Sequence, residues 1–108
     1  MKKGNIILVP FPFTDLSGNK YRPALILNVG EDDVTVAFIT TQLYSKINTD
    51  IFIESTKENG LKKDSLIRLS KLATIDKSLI TGRLGELDKT IISQVNSTLK
   101  LVFQLDTV

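Results

Sequence analysis

The hydrophobic period changes once along this chain, and that change limits what it can fold into. Up to about residue 75 the apolar residues fall in runs of four to eight, each closed by turn-forming residues. Beyond residue 90 they recur at helical spacing: Ile91, Ile92, Val95, Leu99, Val102 and Phe103. The pattern predicts a mainly β (α+β) domain, in which several short antiparallel strands form a small barrel with one amphipathic helix laid against it. No βαβ alternation and no internal repeat is present. With 108 residues the chain fits a single domain spanning 1–108. So short a chain buries a modest fraction of its surface, and dimerisation would add stability.

Strands are expected at 6–9, 24–29, 34–39, 50–54 and 64–69, with a further short one at 72–75. Pro10-Phe11-Pro12-Phe13 should end the first. Residues 14–20 read as an exposed loop, 40–48 and 55–63 as two more, and 76–79 as one helical turn. The short turn Gly30-Glu31-Asp32-Asp33 argues for an antiparallel hairpin. Asp88 is a suitable N-cap, with Leu87 and Ile92 at staple positions, for a helix over 89–103.

What is missing narrows the chemistry. The chain has no histidine and no cysteine. That rules out a Ser-His-Asp triad, a thiol nucleophile, a disulfide and any imidazole or thiolate metal ligand. The lack of cysteine suits a reducing cytoplasm. No phosphate-binding glycine loop occurs, and the acidic run Glu31-Asp32-Asp33 reads as a solvated turn rather than a metal site. No cofactor is implied. The N-terminal Lys2-Lys3 precedes only four apolar residues before Pro10, too few for a signal peptide. No segment approaches the ~20 apolar residues that span a bilayer. Fourteen basic against twelve acidic residues give a net charge of +2 and a pI of about 8.9, which allows a polyanionic partner without demanding one.

A cationic and hydroxylic set remains. Pairing across the 30–33 turn brings the start of the second strand beside the end of the third, so Arg22 and Thr40 should be neighbours. Ser17 is placed to reach the same edge from its loop. A guanidinium binds phosphate oxygens bidentately, and hydroxyls donate to a further oxygen. On a phosphodiester such groups stabilise the charge of a pentacoordinate transition state. RNA supplies its own nucleophile, the 2′-hydroxyl, so neither metal nor catalytic serine is required. The ordinary reading of Arg22 is a surface ion pair, and that of Thr40 a strand-end residue.

These residues carry a resemblance. Gly4-Asn5-Ile6-Ile7-Leu8-Val9, Ser17 through Arg22-Pro23-Ala24-Leu25-Ile26, Ala37-Phe38-Ile39-Thr40-Thr41-Gln42, Gly60 through Ser65, Leu72 through Asp76 and Gly85-Glu86-Leu87 resemble, in order and spacing, the MazF/PemK family of toxin endoribonucleases. The resemblance covers essentially the whole chain, with Val9-Pro10-Phe11-Pro12-Phe13 pointing to a divergent PemK-like branch. It implies an SH3-like barrel, a homodimer, and metal-independent cleavage of single-stranded RNA (mRNA) through a 2′,3′-cyclic phosphate. It also implies inhibition by a cognate antitoxin that occupies the RNA groove. Carried over by position, Arg22 is the main catalytic cation, Thr40 stabilises the scissile phosphate and Ser17 assists. Lys20, Tyr21, Thr41, Gln42, Arg68 and Lys71 become candidate RNA contacts, with Phe11, Phe13 and Tyr21 available to stack on bases.

The sequence departs from the family in two places. Gly18-Asn19-Lys20 replaces an acidic stretch before the Arg-Pro, which leaves the general base unassigned. Asp15 is a substitute candidate. Ser70-Lys71 stands where the family often has an acidic residue and glutamine. A second reading is a binding module or gyrase poison on the same barrel, without ribonuclease turnover. A relative that binds RNA without cleaving it is a third.

Overall fold

The computed structural model describes residues 1–11 and 20–105, Phe11 by its backbone alone. Six strands form one antiparallel sheet: β1 (Asn5–Phe11), β2 (Lys20–Val29), β3 (Asp33–Thr40), β4 (Asp50–Ile53), β5 (Ser65–Asp76) and β6 (Gly82–Glu86). The spatial order is β4-β5-β3-β2-β1-β6. Two 3₁₀ turns, Leu43–Ser45 and Lys77–Leu79, and one helix, α1 (Lys89–Phe103), complete the described elements. No ladder joins β4 to β6 among the described residues, so the barrel is a half-barrel, bent at irregularities in three of its ladders.

Both faces of the sheet are apolar. One carries Ile6, Leu25, Ala37, Ile39, Ile51, Ile53, Ile67 and Leu69. Helix α1 covers it, with Val95 buried and Ile91, Ile92, Leu99 and Val102 packed alongside. Phe103, the last apolar residue of the helical pattern, instead remains 55% exposed. The other face gathers Ile7, Val9, Ala24, Ile26, Val34, Val36 and Ile75, with Leu79 and Ile80 folded onto it. The helix begins where expected: the Asp88 carboxylate accepts the Ile91 N–H at 2.9 Å. At Lys77–Leu79 the backbone and side chain of Ser78 hold the Asp76 carboxyl below its ordinary value. No helix among the described residues is long and apolar enough to cross a membrane.

Three departures from the sequence reading exceed a residue or two. β1 runs on through Pro10, which pairs with Tyr21. β6 accompanies β1 only as far as Leu8, so Pro10 lies beyond it, where a missing N–H costs little. β2 starts at Lys20 and contains Pro23, one residue before the β2–β3 ladder begins at Ala24. The two late strands expected at 64–69 and 72–75 are one strand, β5. Its partner β3 steps from Ala37, opposite Leu72, to Phe38, opposite Arg68, and Leu69-Ser70-Lys71 bulge out between them.

Strand β6 went unread because Gly82-Arg83-Leu84-Gly85-Glu86 carries no strand signal. Its glycines answer to packing instead. A Cβ on Gly85 would lie 2.1 Å from the Glu58 carbonyl oxygen. One on Gly60, whose φ is +72°, would lie 2.0 Å from that of Leu84.

Candidate active site

The β2–β3 register sets Ala24 opposite Phe38 at the end of the ladder. Two residues further along each strand, in the same register, stand Arg22 and Thr40. Alternation puts Arg22, Phe38 and Thr40 on one face, and Arg68, opposite Phe38 on β5, joins them. The result is a cleft of about 330 Å³ lined by Arg22, Pro23, Phe38, Ile39, Thr40, Gln42, Arg68 and Lys71. Three cations and one strand-end hydroxyl therefore share one hollow. Among the described residues no carboxylate lines it.

Each side chain has a local reason for its place. Arg22 is exposed just before the ladder forms. Thr40 is the last residue of β3, and its Oγ1 accepts the Gln42 N–H at 3.2 Å. A threonine oxygen already accepting one hydrogen bond keeps its own hydrogen for donation. Lys71 reaches the cleft because the bulge in β5 carries it out of the ladder. Gln42 leads into the turn Leu43–Ser45 and forms the rim.

Arg68 is held from within the fold. Its side chain is 18% exposed, and Nη1 donates to Asp50 Oδ2 at 3.1 Å, on a carboxylate with no exposure. Nη2 donates to Ser45 Oγ. Its charge is thus matched by the protein itself, which limits what it can lend to a ligand.

Of the residues expected in the site, Arg22, Thr40, Gln42, Arg68 and Lys71 come together. Lys20, Tyr21 and Thr41 are exposed and lie outside the cleft lining; Tyr21, 47% exposed, follows Lys20 at the start of β2. Ser17, Asp15 and Phe13 lie outside the described residues, as does the side chain of Phe11. The sequence reading missed Phe38 on the cleft wall, and Asp50 and Ser45 behind it. One signal was available. Arg68 interrupts the apolar run Leu66-Ile67-Arg68-Leu69, and a charge inside a buried strand needs a partner.

A second hollow, of about 420 Å³, lies between β4, β6 and the start of α1. Glu54, Glu58, Glu86 and Asp88 line it beside Phe52 and Ile91. That charge repels phosphate, and the anion-binding chemistry belongs to the cleft at Arg22.

Comparison with known proteins bears on the family and the fold. Residues 2–103 match the family described as "PemK-like, MazF-like toxin of type II toxin-antitoxin system". The endoribonuclease EndoA of Bacillus subtilis (strain 168) is 32% identical over 89 residues, which are 82% of this chain and 68% of the relative. Among solved structures, the Mycobacterium tuberculosis toxin MazF-mt6 superposes with a TM-score of 0.77 at 24% identity, over 94% of this chain and 98% of that one. A mycobacterial endoribonuclease in complex with its cognate antitoxin gives 0.76 at 18% identity, over 100% and 99%. At such identities the structures speak for the fold, a mostly antiparallel half-barrel with one C-terminal helix.

Proposed function

Because this chain belongs to the PemK-like, MazF-like toxins of type II toxin–antitoxin systems, we propose that it is an endoribonuclease toxin whose cleft at Arg22 and Thr40 cleaves single-stranded RNA without a metal ion. Relatives named endoribonucleases support the class of activity. The observation that carries the site is the cleft itself, which joins Arg22, Thr40 and Lys71 on one wall with no carboxylate among the described lining residues. Such a lining suits an anion whose charge grows during reaction.

In this reading the 2′-oxygen of one nucleotide attacks the adjacent phosphorus. The O2′–P bond forms as the P–O5′ bond breaks, leaving a 2′,3′-cyclic phosphate and a 5′-hydroxyl. The 2′-hydroxyl proton is lost and the departing 5′-oxygen gains one. Arg22 grips the non-bridging oxygens with its fork and holds them in line. Thr40, its oxygen already accepting from Gln42 N–H, donates to the same phosphate as negative charge builds. Lys71 adds positive potential at the mouth, and Gln42 faces the bases from the rim. Lys20, two residues before Arg22 and on the same face, extends the track along the strand, whereas Tyr21 alternates to the opposite face and would meet a base only past the strand's end. Ser17 would assist from its loop. The reading includes a homodimer and a cognate antitoxin, the latter supported by the mycobacterial relative solved with its own.

The test is direct. Purified protein with single-stranded RNA in EDTA is expected to give discrete fragments, and gyrase supercoiling beside it to run unimpeded. Intact RNA together with inhibited gyrase would replace this reading with that of a gyrase poison on the same fold.

A further inference from the structure

A chain of hydrogen bonds runs from the buried edge of the sheet to the Thr40 hydroxyl. It starts at Asp50, the first residue of β4, whose Oδ2 accepts from Arg68 Nη1 at 3.1 Å and from the Ile47 N–H at 2.9 Å. Arg68 Nη2 donates to Ser45 Oγ. The Ser45 hydroxyl in turn donates to the Gln42 carbonyl oxygen at 2.9 Å. Gln42 closes the chain by donating its own N–H to Thr40 Oγ1 at 3.2 Å. Gln42 is thereby held at both its carbonyl and its N–H.

We propose that Asp50, Arg68 and Ser45 are positioning residues for RNA cleavage, acting through the backbone of Gln42 to aim the Thr40 hydroxyl at the scissile phosphate. The proposal rests on the nuclease reading above. A threonine hydroxyl can point its hydrogen into several staggered directions. Catalysis by a hydrogen-bond donor depends on that donor being oriented before charge develops. The Gln42 N–H occupies one lone pair of Oγ1 and so restricts the rotor. That N–H can do so only while Gln42 keeps its place, and Ser45 clamps the Gln42 carbonyl oxygen twice, by its backbone N–H at 3.3 Å and, more closely, by its hydroxyl at 2.9 Å. Ser45 is itself gripped by an arginine that a fully buried carboxylate holds in one orientation. The device needs an acid at 50, an arginine at 68 and a hydroxyl at 45.

Ser45→Ala removes one half-buried hydroxyl and leaves the Asp50–Arg68 pair in place, so the fold should survive. In steady-state cleavage of a short single-stranded RNA, kcat is expected to fall about tenfold, the worth of one orienting hydrogen bond, with KM nearly unchanged. Ser45→Thr, which keeps the hydroxyl, should retain the wild-type rate. Introduced into Thr40→Ala, Ser45→Ala should have no further effect on kcat, because its route to the phosphate is gone. The Gln42 amide resonance should move in Ser45→Ala without RNA present. Equal losses of kcat when Ser45→Ala is placed in the wild type and in Thr40→Ala, or an unchanged rate with a moved Gln42 amide, would overturn the inference alone. Wild-type protein that leaves RNA intact would overturn the nuclease reading, and this inference with it.

Discussion

Arg22→Ala is expected to lower the rate of RNA cleavage about 10³-fold, as loss of a main transition-state donor does, while leaving the fold intact. Arg22 is exposed at the start of β2, outside both apolar cores. Its removal should therefore change stability by less than about 1 kcal/mol. The catalytic loss has no ready substitute in the cleft. Arg68 is tied to Asp50 and Ser45, and Lys71 is a point charge on a flexible stem at the bulge. Arg22→Lys should recover only part of the rate, because an ammonium cannot hold two phosphate oxygens in a planar fork. Single-turnover cleavage measured beside thermal unfolding separates the two effects. Full activity in Arg22→Ala would remove this arginine from the site.

The largest expected effect on stability comes from Arg68→Ala, which should cost about 3–5 kcal/mol. Asp50 has no exposed side-chain surface, and Arg68 supplies its counter-charge at 3.1 Å. Truncating the arginine strands a carboxylate away from water. Replacing both partners removes the stranded charge and leaves only the Ile47 N–H without its acceptor. Arg68→Leu with Asp50→Leu should unfold in urea within about 1–2 kcal/mol of wild type. The paired change should nevertheless stay slow in cleavage, because Ser45 has lost its anchor. An Arg68→Ala protein as stable as wild type would mean that the Asp50 carboxylate finds another partner or stays hydrated.

The fold was legible where local chemistry and packing agree. Helix α1 announced both its period and its cap, and Asp88 does cap it. The β2–β3 hairpin was set by a short polar turn, and its register carries Arg22 and Thr40 into one cleft. Legibility failed where a residue serves a contact distant in sequence. Gly85 lies in β6 because the Glu58 carbonyl passes over it, which no propensity records. Pro10 stays in β1 because the neighbouring strand stops short. Ser70 and Lys71 looked like a break between two strands and are instead a bulge within one. In the site, the nearness of Arg22 and Thr40 could be read in advance from the hairpin. The Asp50–Arg68–Ser45 network could not, since its members are up to 23 residues apart and meet only across β4 and β5.

If the cleft cleaves RNA with the substrate's own 2′-hydroxyl as nucleophile, the new ends carry the signature. The most direct measurement is the chemistry of the new ends, read by mass spectrometry on fragments made in EDTA. The expected ends are a 2′,3′-cyclic phosphate on one side of each cut and a 5′-hydroxyl on the other, with no cut at a nucleotide whose 2′-hydroxyl is replaced by hydrogen. Fragments ending in a 3′-hydroxyl and a 5′-phosphate would contradict it.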